Sequence, residues 1–592
     1  MNLRKTILLV LFITNFSNAQ DSFPKYREVI NKLFIEYDMT ELDKDNEVIL
    51  EKRNTGWSIK TIKQRDTIQQ LYWNKNENQF KRLSLPKNPA VISVSKFSEY
   101  DEREENEKEL KKRMLNEYPE LSYDIFPFYG YEGCYIDNIK LIESKTELDD
   151  NEIYILGYSY SQLASNLIND NFEFSLRDLK YELPFTKNSM NQNQLDYFLN
   201  YSKKSIEYYK TLSQKNPNYN TIPGSIGIKY CNEIVSLFLN LYIYQNDEMA
   251  LNYLLQNSLY SENINRYSKL MLDSCEPKSI LFTAGDNDTF PLLYYQLKNN
   301  YRKDILIINT SLLNDPRYSI MMKNGFYYNN ITYSFNDEFI KSKYSAYALL
   351  NSNNENTIDI TTLNKIKDAF DTTINLESNN FRFKKNKKSI SWAFDNEVLY
   401  RNQILMLDII AQNNWNRPIY FTDYNSYNEY LGLNNYLQFE GLVYKLTSDE
   451  NKKTEDIGYI KNDKIIEKLL NQIEFKNINK LPVEEKVIVD YIRNIYLRLA
   501  KHYFEKKLYT EAKLTLNNCL EKYNNKISPL NFYSLEFADL YTTLNEKAKS
   551  DSIKNDVLKN IENKNHIYYY KTDEYVNEKL SSHKKYIETT YN

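Results

Sequence analysis

The chain has 592 residues, of which 42% are hydrophobic and 15% aromatic, so it is not a disordered polymer and can form several packed cores. Its 76 basic and 80 acidic residues give a formal net charge of -4, which leaves no overall positive charge to attract nucleic acid. Histidine occurs only near the C-terminus, at His502, His566 and His583. Ser-His-Asp triads and His-rich zinc sites are therefore excluded from everything upstream.

Residues 1–19 have the pattern of a secretory signal peptide. Arg4 and Lys5 form a basic start, residues 6–16 are mostly apolar, and a small-residue cleavage pattern ends at Ala19. The apolar stretch is shorter than the ~20 residues that a membrane-spanning helix needs. We therefore expect an exported, periplasmic protein without a membrane span after signal cleavage.

Four cysteines occur without any C-x-x-C spacing, at Cys134, Cys231, Cys275 and Cys519. This spacing excludes a metal site built from cysteines. In an oxidising compartment a disulfide such as Cys231 with Cys275 is one alternative, and four buried free thiols are the other. The spacing does not decide between them.

The N-terminal part reads as a small antiparallel β-rich module over residues 20–98. Residues 47–50, 57–62 and 69–73 are predicted to be strands of a meander. The mixed-charge run at 101–113 places Glu four residues before Lys or Arg three times, which predicts a solvated helix face rather than a binding tail.

Residues 99–270 are predicted to be helical and repeat-like. Apolar residues recur at helical spacing over 154–168 and 194–213. A further helix pair is indicated by residues at the offsets of a tetratricopeptide unit, namely Phe238, Leu241, Ala250 and Leu254.

The C-terminal part, residues 461–592, shows the clearer repeat pattern. Small and large residues alternate as in a tetratricopeptide unit, namely Leu499, Ala500, Tyr503, Tyr509, Ala512, Leu516, Cys519 and Leu520. The small residues would let two antiparallel helices approach closely, and the tyrosines and leucines would fill the space between them. A degenerate second unit is expected around Ala538 and Tyr541.

Residues 271–460 are predicted to form an α/β domain. Residues 279–284 and 305–308 are apolar runs typical of buried strands, separated by a turn at 285–289 and a helix at 290–300. This βαβ unit predicts two parallel strands with a right-handed crossover.

Later residues extend the α/β domain. A helix is predicted at 399–412 and a strand at 417–422, with a polar elaboration at 323–395. The fold class expected overall is a multidomain α+β or α/β chain: a β-rich module, a central parallel-sheet domain, and flanking tetratricopeptide-like helical hairpins.

The turn after the first of the parallel strands carries the candidate functional residues. Asp286, Asn287 and Asp288 lie where open α/β sheets bind ligands. A D-x-D pair is typical of metal-dependent nucleotide-sugar transferases, but nucleotide sugars are cytoplasmic and this chain is expected to be exported. The D-x-D-x-T motif of haloacid-dehalogenase-type phosphotransferases is not matched, because Thr289 follows Asp288 directly.

Two interpretations of this turn stay open. In one, the carboxylates orient a sugar or peptide ligand by hydrogen bonds; in the other, they only cap the following helix. Arg417 is expected to pair with an acidic residue of the turn. Without a His, Cys or phosphate-binding loop nearby, the sequence predicts no catalytic residue, no metal site and no cofactor. The candidate ligand-binding residues are Asp286, Asn287, Asp288, Thr289 and Arg417.

Three segments resemble a known family: LFTAGDNDTFPL at 281–292, DILIINTSLL at 304–313 and NWNRPIYF at 414–421. They are similar to the soluble extracytoplasmic C-terminal region of the protein O-mannosyltransferase-like membrane family. The resemblance implies an α/β and helical-repeat region that follows a membrane-embedded transferase core. This sequence has a signal peptide where the family has its spans, so transferase activity is not implied. Of the family's features, only the turn at 285–288 and the strand start at Arg417 carry over.

The function expected from these features is that of an exported, non-catalytic binding or scaffold protein of the bacterial envelope. Its partner would be a protein or a glycan, because helical-repeat stacks form extended concave surfaces and tyrosine is a favourable contact residue. One alternative is an enzyme that acts on envelope glycans through Asp286 and Asp288. Another is an accessory subunit of a membrane glycosyltransferase.

Overall fold

The computed structural model describes most of the chain from residue 46 onward. The described ranges are 46–53, 56–63, 66–74, 79–82, 125–127, 134–168, 190–244, 246–327, 329–342, 347–363, 374–385, 387–422, 430–451, 456–563, 581–587 and 589–590. The expected signal peptide at 1–19 and the mixed-charge run at 101–113 lie outside the described residues. The chain divides into two compact units, Met1–Glu233 with Tyr568–Ser582 and Ile234–Ile567 with His583–Asn592.

The first described elements form a four-stranded antiparallel sheet in the first unit. Its strands follow one another as a meander: β1 (Asn46–Arg53), β2 (Gly56–Lys63), β3 (Asp66–Asn74) and β4 (Gln79–Arg82). In the first hairpin Asn46 pairs with Lys63, and Arg53 pairs with Gly56. The three strands predicted from the sequence are confirmed. The fourth was missed, because four residues are too few to show an alternating pattern.

Three helices of the first unit follow: α1 (Cys134–Glu143), α2 (Asp150–Asn166) and α3 (Gln192–Lys215). A capping box starts α2, in which the backbone N–H of Glu152 donates to the Asp149 carboxylate at 2.8 Å and the Glu152 carboxylate accepts from the Asp149 N–H at 3.0 Å. The helices predicted over 154–168 and 194–213 are confirmed. Both begin a few residues before the first apolar residue, because the caps supply partners for the first N–H groups.

A short hairpin leads into the next helices: β5 (Asn220–Thr221), β6 (Gly224–Ser225), α4 (Ile226–Ile243), α5 (Asp247–Leu255) and α6 (Glu262–Asp273). The boundary between the two units falls within α4. The predicted helix pair is confirmed, since its four marker residues lie on α4 and α5 and are fully buried: Phe238, Leu241, Ala250 and Leu254. Its assignment to the tetratricopeptide class stays a prediction.

The second unit contains the predicted βαβ unit: β7 (Ile280–Thr283), α7 (Gly285–Lys298) and β8 (Leu306–Asn309). The two strands are parallel, with Ile280 opposite Leu306, and every residue of both is buried. The helix begins at Gly285 rather than at Phe290, so the expected turn at 285–289 is the first turn of α7. Pro291 lies in the helix interior, although proline favours the first helical position.

The elaboration after β8 contains further helices and short strands: α8 (Pro316–Asn324), α9 (Asp337–Lys341), β9 (Tyr347–Leu350), β10 (Thr357–Asp359), β11 (Ile374–Leu376), β12 (Asn380–Lys385), β13 (Lys388–Ala393), β14 (Val398–Tyr400) and α10 (Arg401–Asn413). The strands form two small sheets, in the orders β10-β12-β13 and β11-β9-β14. The helix predicted at 399–412 is confirmed as α10, although Leu399 belongs to β14.

Three more strands complete the central sheet: β15 (Ile419–Phe421), β16 (Leu437–Phe439) and β17 (Tyr444–Leu446). The strand order is β16-β17-β15-β7-β8. The predicted strand at 417–422 is confirmed as β15, which is parallel to β7 and antiparallel to β17. The rings of Phe282 and Phe421 stack with centroids 5.3 Å apart, which ties the two central strands together.

The C-terminal part is helical, as predicted: α11 (Asp463–Gln472), α12 (Val483–Glu505), α13 (Tyr509–Lys522), α14 (Leu535–Thr543) and α15 (Lys547–Glu562). Ala500 of α12 and Ala512 and Cys519 of α13 are fully buried where these helices pack together. Tyr509 is 47% exposed, so the expectation that it fills the space between the helices is wrong. It is the first residue of α13.

The structure describes a mixed α and β protein with several small sheets. Three of the cysteines are buried and form no disulfide: Cys231, Cys275 and Cys519. The disulfide considered between Cys231 and Cys275 is therefore wrong. Burial raises the pKa of the Cys275 thiol to about 12, so this thiol is held in its unreactive form.

Among the residues that the structure describes, no helix combines the length and the apolar character needed to cross a bilayer.

Candidate functional site at the carboxyl edge of the central sheet

The parallel strands β7 and β15 bring their carboxyl ends to the same edge of the central sheet. Thr283 is the last residue of β7. Phe421, the last residue of β15, pairs with Phe282 of β7, and Thr422 follows it in the chain. The connection between β16 and β17 reaches the same edge, because Tyr444 of the antiparallel β17 lies opposite Phe421. The sheet therefore gathers three chain segments at the edge where α/β proteins bind ligands.

The acidic turn lies on this edge, in the first turn of α7. Its N-cap residue is Ala284, which has no side chain that could cap the helix. Gly285 has a φ of +68°, a left-handed conformation that favours glycine, and this places the next residues outward. Asp286 and Asn287 are exposed, whereas Asp288 is half-buried. The two carboxylates lie near the positive end of the helix dipole, which favours their charged form.

Thr289, the fourth candidate residue, points into the protein. Its hydroxyl donates to the Gly285 carbonyl at 2.7 Å and lies 2.7 Å from the hydroxyl of Thr283. The side-chain amide of Asn309, at the end of β8, donates to Thr289 Oγ1 at 2.8 Å and to the Gly285 carbonyl at 3.1 Å. Thr289 is 1% exposed, so it fixes the turn from below rather than meeting a ligand.

Asn309 is a positioning residue that the sequence interpretation missed. Its Oδ1 accepts a hydrogen bond from the backbone N–H of Leu312 at 2.9 Å, so one amide joins the ends of both parallel strands. Its position in the sequence could have indicated this role, because it is the first polar residue after the apolar run at 305–308. A buried amide needs hydrogen-bond partners within the protein.

A small cavity lies beside Asp288. Its volume is about 20 Å³, and its wall is formed by Tyr267, Met271, Asp288, Thr422, Gly441, Leu442, Tyr491 and Ile495. The buried hydroxyl of Thr422 has no hydrogen-bond partner among the described residues. Because a cavity needs about 10–15 Å³ of such volume to hold a water molecule, this one has room for about one.

Arg417 lies at the opposite edge of the sheet from the acidic turn. It precedes β15, whose Ile419 is level with Ile280 at the start of β7. The guanidinium donates from Nε to the Lys278 carbonyl at 2.6 Å and from Nη2 to the Ser279 carbonyl at 3.0 Å. The expected pairing of Arg417 with the acidic turn is therefore wrong. A parallel register necessarily separates a residue before one strand from a residue after the other.

The sequence interpretation also missed a buried carboxyl group, that of Glu440. It lies between the end of β16 and Gly441, and it is 8% exposed. Gln438 Nε2 donates to Glu440 Oε1 at 2.8 Å. Burial raises the pKa of the Glu440 carboxyl, and the positive charge of Lys445 opposes this shift. Lys445 in turn forms an ion pair with Glu276.

Within the described ranges, no group of three or more His, Cys, Asp or Glu side chains is arranged to hold a metal ion. The acidic turn thus provides the carboxylates of Asp286 and Asp288 and the amide of Asn287, and Asp288 borders a small cavity. This arrangement can accept hydrogen bonds from a ligand at the surface.

The model of a family described as TMEM260-associated domain 2 matches residues 264–389 and again 338–464. The two matches run from α6 to α11 and include the acidic turn, the whole central sheet and Arg417. No curated protein and no solved structure matches the chain. Residues 264–464 are therefore similar to a TMEM260-associated domain, which relates this chain to the protein O-mannosyltransferase-like family of TMEM260.

Proposed function

We propose that the chain is an exported, non-catalytic binding or scaffold protein of the bacterial envelope, which presents its α/β core and helices to a protein or glycan partner. One observation carries the proposal. Asp286 and Asn287 are exposed at the carboxyl edge of the sheet, while the cavity beside Asp288 has room for about one water molecule. Polar groups that face solvent without a substrate-sized pocket suit contact with a partner surface.

The proposed location in the periplasm is supported by the sequence of residues 1–19, with its basic start, apolar stretch and small-residue cleavage pattern. Fractionation of cells that express the full chain tests it. We expect the protein in the periplasmic fraction, shortened after Ala19. Recovery of the uncleaved chain from the cytoplasm would contradict this part of the proposal.

The binding function is tested by capture from native envelopes. The tagged chain and its Asp286→Lys variant are incubated with envelope extract, cross-linked, and analysed for bound proteins and glycans. The matched control is Glu355→Lys, which makes the same charge change at another exposed position of the same unit. We expect one specific partner, recovered with the unchanged chain and with Glu355→Lys but depleted with Asp286→Lys.

Recovery of no specific protein or glycan would remove the binding function altogether. If the Asp286→Lys variant recovers the partner as well as the unchanged chain does, the protein has a binding function, but its binding site is not the acidic turn.

An enzyme that acts on envelope glycans is the second candidate. It is favoured by one observation: the half-buried Asp288 lines the same cavity as Thr422, whose hydroxyl has no hydrogen-bond partner among the described residues. Incubation of labelled envelope glycans with the purified chain tests it. Cleavage or transfer that disappears in Asp288→Asn would establish this candidate in place of the binding function.

The relation to the TMEM260 family favours a third candidate, an accessory subunit of a membrane glycosyltransferase. The capture experiment distinguishes this candidate as well. In that case the recovered partner would be a membrane glycosyltransferase, and its activity would rise when the purified chain is added.

A further inference from the structure

The second unit contains an open cleft that is distinct from the carboxyl edge of the sheet. Its volume is about 730 Å³, within the range of ligand-binding clefts. One wall comes from the end of α4 and the start of α5, and the other from the end of α8 and the turn that follows it. The cleft therefore joins segments that lie about eighty residues apart in the sequence.

A cluster of four aromatic rings forms the base of this cleft. Tyr242 and Tyr327 lie with ring centroids 4.9 Å apart, and Phe326 is 5.0 Å from Tyr242 in an edge-to-face arrangement. Phe238 stacks on Tyr327 at 6.0 Å. Phe238 and Phe326 are buried, whereas Tyr242 and Tyr327 are half-buried and line the cleft. The two phenylalanines thus hold two tyrosines at the surface.

The turn that carries Tyr327 is held in an unfavourable backbone conformation. Tyr327 has a φ of +44°, in the left-handed region that bulky side chains rarely adopt. Two backbone hydrogen bonds close the turn, from Phe326 N–H to the Asn329 carbonyl at 2.7 Å and from Asn329 N–H to the Phe326 carbonyl at 3.1 Å. Such conformations persist where the surrounding structure enforces them, and they occur preferentially at functional sites.

The rim of the cleft is polar, and the charged side chains among its described lining residues are acidic. Three asparagines line it, of which Asn324 and Asn330 are exposed and Asn329 donates from Nδ2 to the Lys303 carbonyl at 2.5 Å. Asp247 and Glu248, in the first turn of α5, are exposed on the facing side. The described lining residues include two carboxylates and no lysine or arginine.

We propose that this cleft binds an extended peptide segment of a protein partner that carries arginine or lysine side chains; this proposal rests on the proposed binding function and names its site and partner chemistry. A guanidinium or ammonium group stacks favourably on a tyrosine face, here Tyr242 or Tyr327. The same cation forms charge-assisted hydrogen bonds with Asp247 or Glu248. The asparagine amides each donate and accept, which matches the one donor and one acceptor of every peptide unit.

The test uses the full chain and two labelled Gly/Ser peptides, one with two arginines and one with citrulline in their place. Citrulline keeps the shape and removes the charge. We expect the arginine peptide to bind at least about tenfold more tightly than the citrulline peptide by fluorescence anisotropy. We also expect the difference to shrink between about 50 mM and about 500 mM salt, because the carboxylates are exposed and screened.

Variants locate the binding in the cleft. Asp247→Asn combined with Glu248→Gln should weaken the binding of the arginine peptide about tenfold and leave the affinity for the citrulline peptide unchanged. Tyr327→Asn removes the ring but suits a left-handed φ. This variant should bind the arginine peptide more weakly than the unchanged chain does. Asn252→Ala, on the exposed side of α5 and outside the lining, is the matched control and should bind as the unchanged chain does. Thermal unfolding of each variant confirms that it is folded.

Equal affinity for the two peptides, binding of neither peptide, or binding that the cleft variants leave unaltered would each overturn the proposal. Displacement of the arginine peptide by neutral envelope glycans with no salt dependence would overturn it too, since the cleft would then be a glycan site. The envelope capture separates these failures from failure of the proposed function. A partner captured equally by the cleft variants leaves the binding function in place, whereas absence of any partner removes it.

Discussion

The hydroxyl of Thr289 is the point at which both parallel strands and the acidic turn are joined. It donates to Gly285, lies within hydrogen-bond distance of Thr283, and accepts from the amide of Asn309. All of these groups lie in or next to the buried strand ends, where a lost partner is not replaced by water. The geometry of the candidate site therefore depends on a residue that faces away from it.

Thr289→Val, which keeps the shape of the side chain and removes its hydroxyl, should destabilise the protein by about 1–3 kcal/mol. The physical reason is that the Asn309 amide keeps its burial but loses one acceptor. Urea-induced unfolding measures the free energy. Thr289→Ser retains the hydroxyl and should lose less stability. A Thr289→Val variant as stable as the unchanged chain would show that this hydrogen-bond network does not contribute to the free energy of unfolding.

Asp490 of α12 is a second residue whose surroundings determine its chemistry. Burial raises the pKa of its carboxyl from 3.8 to about 6, while Arg493, which donates from Nη1 at 2.8 Å, opposes the shift. Arg493 also donates to the carbonyls of Tyr523, Asn524 and Ser528. The pair thus fastens α12 to the segment after α13.

Because the folded protein holds this proton more tightly than the unfolded chain, the contribution of Asp490 to stability is complete below about pH 4 and is lost as the pH rises through about 6. We expect the free energy of unfolding of the unchanged chain, relative to that of Asp490→Asn, to fall by about 1–3 kcal/mol between pH 4 and pH 7. Urea unfolding at several pH values measures it. A constant difference, or one that grows with pH, would contradict the raised pKa.

At the scale of elements, the packing of α2 on α3 depends on a close approach that the sequence pattern does not show. Gly157 lies on the buried face of α2, and a Cβ atom there would be 2.6 Å from Cε1 of Tyr209 on α3. Tyr209 is fully buried and its ring lies 6.0 Å from that of Tyr154. A Cβ atom at position 157 would therefore force this buried ring to shift.

Gly157→Ala should therefore destabilise the protein by about 1–3 kcal/mol, although alanine is the better helix former by about 1 kcal/mol. The matched control is Gly227→Ala in α4, where the nearest atom to a new Cβ is Ser225 Oγ at an ordinary 3.5 Å. That variant should be as stable as the unchanged chain or more so. Stabilisation by both substitutions in thermal unfolding would show that helix propensity outweighs the contact with Tyr209.

Elements were predicted best where burial is uniform along the chain. The apolar runs at 279–284 and 305–308 identified β7 and β8, because a strand covered on both faces has no polar position to break the run. The helix predicted at 290–300 begins earlier, at Gly285, because the glycine, aspartates and asparagine of its first turn are residue types that also favour turns. The short strands of the elaboration carry too few residues for a period to appear.

On the scale of the whole molecule, the chain forms two compact units, each with buried residues of its own. Gly157 and Tyr209 belong to the first unit, and Thr289 and Asn309 belong to the second. Compact units with separate cores commonly unfold in separate steps.

Calorimetry of the full chain should then show two unfolding transitions rather than one. We expect Gly157→Ala to lower only one of the two midpoints and Thr289→Val to lower only the other, because each substitution disturbs one core. The two variants serve as controls for each other. A single transition that both substitutions lower would contradict the expectation of separate units.

The sequence by itself determined the longer elements: the parallel strands β7 and β8, the long helices, and the position of the acidic residues after β7. These follow from neighbours in the chain, whose periodicity and capping patterns are local. The tertiary structure alone decided that Thr289 points inward, that Arg417 lies at the far edge of the sheet, and that Tyr242 and Tyr327 meet in one cleft. Strand register and packing decide these positions, since they join residues that no local pattern relates.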